Sequence, residues 1–162
     1  MKSLAVIGEK DSSINYTDRP TVKVVIKKDD HILILNNGLL PGGGIDSKES
    51  DAEAINRELL EEIGVAVEKI DELGRVTQYR NYLKKIYLVF GYQATFSRFS
   101  GAPTPQDDGE AMFTYTWATK DEALHLIDKV IQEQKAHALD SDESQGRLYN
   151  LMTARVIIGA SR

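Results

Sequence analysis

The chain has 162 residues, no cysteine and a formal net charge of −5, with 41% apolar and 28% charged residues. That suits one globular domain whose core needs no staple. The missing cysteines exclude disulfides and thiolate metal centres and fit a reducing compartment, so a cytoplasmic setting is expected. The negative charge argues against broad nucleic-acid or membrane binding. The opening LAVIG run is too short for a signal-peptide core, and no apolar run approaches a membrane span.

In chain order, Leu4 to Ile7 suits a short edge strand, and Asp18-Arg19-Pro20 reads as a turn or an extended entry. Thr21 to Lys27 and His31 to Asn36 read as strands joined by the turn Lys28-Asp29-Asp30. Asn37-Gly38 is a further turn signal.

The stretch Leu40 to Val65 is the most informative. A glycine-rich loop, Gly42 to Gly44, feeds a short acidic helix. Ser50 and Glu53 form a capping box at its start, and Gly64 suits the left-handed position past its end. Ala52, Ile55, Leu59 and Ile63 make an apolar stripe, and Glu58, Glu61 and Glu62 cluster on the opposing face. Glu61 lies about 60° from Glu58 around the helix, and Glu62 about 40° on the other side. Such carboxylates repel one another, and a divalent cation with oxygen ligands compensates them economically. Arg57 is placed to pair with Glu53 or Glu49. A Glu-rich amphipathic helix alone is usually a solvated face. The glycine loop, Glu49 and Arg57 at fixed spacing are what set this one apart.

Gly43, Glu49, Arg57-Glu58, Leu59, Glu61-Glu62, Gly64 and Val65 make this stretch resemble the box of the Nudix hydrolases, without departure. From average residue usage, a chance match is on the order of one in a billion per start position, so the signal is specific. The box covers only residues 43–65; the flanking patterns extend the likeness more weakly.

Beyond Val65 the reading is a short strand and loop, then a hairpin with arms Leu73 to Arg80 and Lys84 to Phe96. Ser97 to Gly109 is a Pro/Gly loop, and Ala111 to Ala118 alternates as a strand. Thr119 to Glu122 is a second capping box, opening a helix. Residues 137–146 read as a linker, and 147–160 as a third helix that packs either on the domain or on a second copy, which leaves a homodimer open. The element order indicates an α+β fold with a mixed sheet between helices. The resemblance implies the same α/β/α sandwich.

The resemblance further implies hydrolysis of a diphosphate linkage by water attack at phosphorus, with Mg²⁺ or Mn²⁺ as cofactor. It implies Glu58, Glu61, Glu62 and the Gly42 carbonyl as metal ligands. Glu58 or a downstream acid is then the general base, and Arg57 with Glu49 braces the loop. Glu110 is a candidate acid, weighed against a solvated loop residue. Arg80 is a candidate contact for the far phosphate, against simple surface solvation. Tyr79 and Tyr82 are candidates to stack on a base, against hairpin packing. A nucleoside triphosphate or related nucleotide is the default substrate. Tyr82 lies seventeen residues beyond Val65, a spacing that resembles the dinucleoside polyphosphate branch of the family. A Nudix-fold module that senses a nucleotide without cleaving it is the competing class, although such modules are expected to lose carboxylates retained here. An isomerase on this fold uses a cysteine, which the chain lacks.

Overall fold

The computed structural model describes residues 1–104 and 113–162. Six strands form one sheet: β1 (Ser3–Ile7), β2 (Thr17–Lys28), β3 (His31–Leu35), β4 (Val65–Arg80), β5 (Lys85–Phe99) and β6 (Tyr115–Thr119). Their order is β1-β4-β5-β2-β3-β6. β1 runs parallel to β4 and β2 parallel to β5; the other pairs are antiparallel. Three helices complete the fold: α1 (Asp51–Ile63), α2 (Lys120–Lys135) and α3 (Asp142–Ala160).

Strand alternation divides the core in two. Val22, Val24 and Ile26 of β2, with Leu33 and Leu35 of β3, face Ile55, Leu59 and Ile63 of α1. Val25, Ile32, Ile34 and Val89 face the other way, against Ile127 of α2 and Leu151 and Ile157 of α3. Helices thus cover both faces of a mixed sheet, the α/β/α sandwich. Among the described residues, no helix is long and apolar enough to cross a membrane.

Several boundaries differ from the sequence reading; the strand read from Ala111 to Ala118 is described as Tyr115–Thr119, and four further differences concern β2, β4, β5 and α3. β2 starts at Thr17 and carries Asp18-Arg19-Pro20 inside it, paired with Ile86, Tyr87 and Leu88 of β5. Pro20 has no N–H to give, but its carbonyl accepts from the Ile45 N–H at 3.1 Å. β4 is one strand from Val65 to Arg80, not a short strand, a loop and a hairpin arm. Irregular register near Glu68 and Glu72, with positive φ at Lys69 and Gly74, bends the strand while β5 continues to pair with it. β5 runs on to Phe99, into the expected loop. Finally, α3 begins at Asp142, capped by Ser141, inside the expected linker. It packs on the sheet of its own chain.

α1 has the expected caps: Ser50 accepts from the Glu53 N–H, Glu53 reaches back to the Ser50 N–H, and Gly64 has φ 63°. Its buried face is turned slightly from the expected one. Ala52 is exposed, whereas Ala54, Glu58 and Glu62 are buried. Glu58 and Glu62 therefore border the core rather than lie opposite it, and they point at the glycine loop.

Candidate active site

The glycine loop lies along the free side of β2. Pro41 O accepts from the Val24 N–H at 3.1 Å, and Gly43 O from the Val22 N–H at 2.9 Å. Gly42 has φ 122°, and a Cβ there would run into the Val22 carbonyl, so the position demands glycine. The Gly42 N–H donates to Glu62 Oε2 at 2.8 Å. The Glu58 carboxylate sits against Gly43, where an added Cβ would lie 2.6 Å from Oε1.

Arg57 ties the loop to the helix. Its Nε and Nη2 donate to the two carboxylate oxygens of Glu49 at 2.8 and 3.0 Å, and Nη2 also donates to Gly44 O at 2.8 Å. Nη1 reaches Glu58 Oε1 at 2.8 Å and Glu61 Oε2 at 3.3 Å. This guanidinium, with the Asp46 N–H, holds the Glu49 carboxyl below the usual carboxylate range. Burial pushes the Glu58 carboxyl up, and Arg57 and Lys23 oppose that shift. Lys23 of β2 points inward; its ammonium donates to Leu40 O at 3.1 Å and also to Gly42 O. Burial lowers the Lys23 pKa against the pull of Glu62 and Glu58.

A cavity of about 130 Å³ opens beside the loop, between β2, β5 and α3. Arg19, Thr21, Lys23, Asn150 and Thr153 form its polar side. Leu40, Tyr87, Val89 and Ala154 supply apolar wall, and Gly43 and Gly44 line it as well. Behind it lies Arg80, only 6% exposed. Arg80 donates to Gln78 and Asn150 and lies 4.1 Å from the centre of the Tyr87 ring.

The structure thus gathers Arg57, Glu58, Glu61 and Glu62 with Gly42, but it places the other candidates elsewhere. Arg80 is not a solvated surface residue: it is buried, because two amide oxygens and an aromatic face replace its water. Tyr79 packs edge-on against Tyr16 at 5.7 Å. Tyr82 lies in the turn after β4, against Gly146 of α3. Neither tyrosine lines the cavity. Glu110 lies outside the described residues. Sequence reasoning missed Arg19, Thr21, Lys23, Tyr87, Asn150 and Thr153. The one available signal was Lys23, a charge set between apolar residues in mid-strand.

The donor set offered by Glu58, Glu61, Glu62 and the Gly42 carbonyl is all oxygen, the chemistry a hard divalent cation takes. In the arrangement seen, Arg57 holds two of the carboxylates and Lys23 holds the carbonyl. Among the described residues, no three acidic or histidine side chains converge closely enough to grip a metal. The set fits the ion in chemistry.

A fold that lays a glycine loop over an acidic helix defines a class, and the family model of the NUDIX domain matches residues 17–139. The chain belongs to the Nudix hydrolase family, enzymes that cleave pyrophosphate bonds in nucleotide-derived substrates. Among solved structures it is similar to the NUDIX hydrolase from Nitrosomonas europaea, with 23% identity over 74% of this chain and 90% of that one and a TM-score of 0.55. It is also similar to the mMutator MutT protein from Bacillus halodurans, with 24% identity over 67% and 72% and a TM-score of 0.52. The ORF135 protein of E. coli shares 20% identity over 68% and 79%, again with a TM-score of 0.52. At these identities the likeness is one of fold. No curated protein sequence matches the chain.

Proposed function

We propose that this hydrolase depends on Mg²⁺ or Mn²⁺ and cleaves the diphosphate linkage of a nucleoside triphosphate or related nucleotide. The nucleoside end occupies the cavity and the phosphates cross Gly43 and Gly44 toward α1. One observation carries the reading: Gly43 lines the cavity and also lies against the Glu58 carboxylate. At about 130 Å³ the cavity is smaller than a drug-sized pocket of roughly 300–1,000 Å³, so it suits one ring system rather than a whole nucleotide.

Glu58, Glu61, Glu62 and the Gly42 carbonyl would hold the metal. When bound, it neutralises charge on the phosphoryl oxygens and makes water a stronger nucleophile. Arg57 keeps the loop on the helix through Glu49 and Gly44, so that the glycine backbone and the carboxylates move as one unit. Glu58 serves as ligand or as general base, taking the proton of the attacking water. The new P–O bond forms as the bridging P–O bond breaks, and the leaving phosphate carries the electron pair.

The test is a nucleotide panel assayed with Mg²⁺, with Mn²⁺ and with chelator, the products being identified. Undiminished turnover in chelator would contradict metal dependence. Nucleotides that bind but are never cleaved would favour a sensing module instead.

A further inference from the structure

On the α3 wall of the cavity the Asn150 amide has a fixed hydrogen-bonding polarity. A guanidinium carries only donors, so the Asn150 atom that meets Arg80 Nη2 at 2.6 Å is its amide oxygen. Gln78 is oriented in the same way. Its oxygen accepts from Arg80 Nε and Nη2 at 2.9 and 2.7 Å. Its NH₂ is thereby left to donate to Thr153 Oγ1 at 2.6 Å. Thr153 accepts there, so its own O–H is available to donate elsewhere, and the Asn150 NH₂ is turned away from Arg80. Both residues line the cavity; with its oxygen on Arg80 the Asn150 amide has only its NH₂ left to offer, whereas the Thr153 hydroxyl can donate and keeps one lone pair. On the β2 side, Thr21 Oγ1 is buried with no hydrogen-bond partner among the described residues. Arg19 and Lys23 add cationic N–H groups. Among the described residues Arg80 is bonded to amide oxygens only, so its positive charge remains behind Tyr87.

We propose that this cavity selects nucleobases by a keto edge. It accepts hypoxanthine, guanine, uracil or thymine and disfavours adenine and cytosine. The inference rests on the reading that the nucleoside end of the substrate fills this cavity. A carbonyl oxygen satisfies the donors of Asn150 and Thr153 and lies well beside a positive charge. An exocyclic amine in its place sets donor against donor at the Asn150 NH₂ and leaves that group without an acceptor. Discrimination by hydrogen-bond pairing exceeds what an apolar wall achieves by shape.

The experiment uses two matched pairs, ITP with ATP and UTP with CTP, each exchanging a keto for an amino group. Hydrolysis is read as kcat/KM. Binding of IMP, AMP, UMP and CMP is read by calorimetry, without turnover. The keto member should be favoured by about tenfold or more in both readouts. Asn150→Asp keeps an acceptor for Arg80 but presents an acceptor oxygen to the cavity, so the ratio should fall about tenfold, toward or past parity. Thr153→Val removes the second donor and should also lower the ratio; it serves if Asn150→Asp does not fold, as judged by melting. Hydrolysis of all four triphosphates at near-equal kcat/KM would overturn the inference and leave the hydrolase reading standing, as would a keto preference that survives both substitutions. Monophosphates that bind without preference, or not at all, would also overturn it. A keto preference in binding without any triphosphate cleavage would support the inference and remove triphosphates as substrates.

Discussion

Gly43→Ala separates catalytic geometry from folding. Gly43 is outside the positive-φ region, so its backbone tolerates a side chain. The new Cβ would lie 2.6 Å from Glu58 Oε1, against 3.4 Å or more for ordinary contact, so the carboxylate must retreat by about 1 Å. It is the far end of a flexible side chain, so the fold need not follow. The cost to stability should stay within about 1 kcal/mol, a melting shift of a few degrees for a chain of this size. Misplacing a reacting group by about 1 Å costs on the order of 100-fold in rate, close to 2.7 kcal/mol of barrier. Gly42→Ala is the control. There φ is 122° and the clash is with the Val22 backbone, so strain and overlap should destabilise by about 3 kcal/mol and lower Tm by roughly 6–12 °C. The assay is kcat/KM on the best nucleotide substrate beside a thermal melt. Gly43→Ala with wild-type turnover would refute the placement of Glu58 in the reaction, and Gly43→Ala melting as low as Gly42→Ala would refute the separation.

Arg57→Ala should lower kcat/KM about 100-fold and stability by about 1–2 kcal/mol, and Arg57→Lys should not restore the rate, because only the planar fork spans Glu49 and Gly44 together. A lysine variant with full activity would contradict this. Glu61→Gln or Glu62→Gln should weaken Mg²⁺ binding by calorimetry with little loss of Tm; unchanged affinity in both would remove them as ligands. Acid should destabilise the protein. Hydrogen bonds hold the Glu49, Glu53 and Glu122 carboxyls below their usual range, so their stabilisation is complete above that range and is lost as pH falls through it. Glu58 has the opposite sign: burial raises it, and its contribution declines as pH rises. Melting curves between about pH 6 and 3 should show a net fall that Glu49→Gln reduces; an equally steep fall in that variant would refute the assignment.

The sequence by itself determined the parts that depend on near neighbours. The caps of α1 at Ser50, Glu53 and Gly64, and the shared direction of Glu58, Glu61 and Glu62, follow from helical spacing and backbone preference over a few residues. The strands at 21–27 and 31–36 were readable for the same reason, and so was the sandwich class. Only the tertiary structure decided what relies on distant partners. β5 carries β4 through its bends, a pairing that no turn signal announces. The first turn of α3 is polar and reads as linker until Ser141 caps it and the sheet receives its apolar face. The cavity joins Arg19 and Lys23 of β2, Tyr87 of β5 and Asn150 of α3, residues far apart in the chain and on three different elements. The orientation of the Asn150 amide is set by Arg80, seventy positions earlier. Local periodicity carries no information about such contacts, because they exist only once the strand order has brought their elements together.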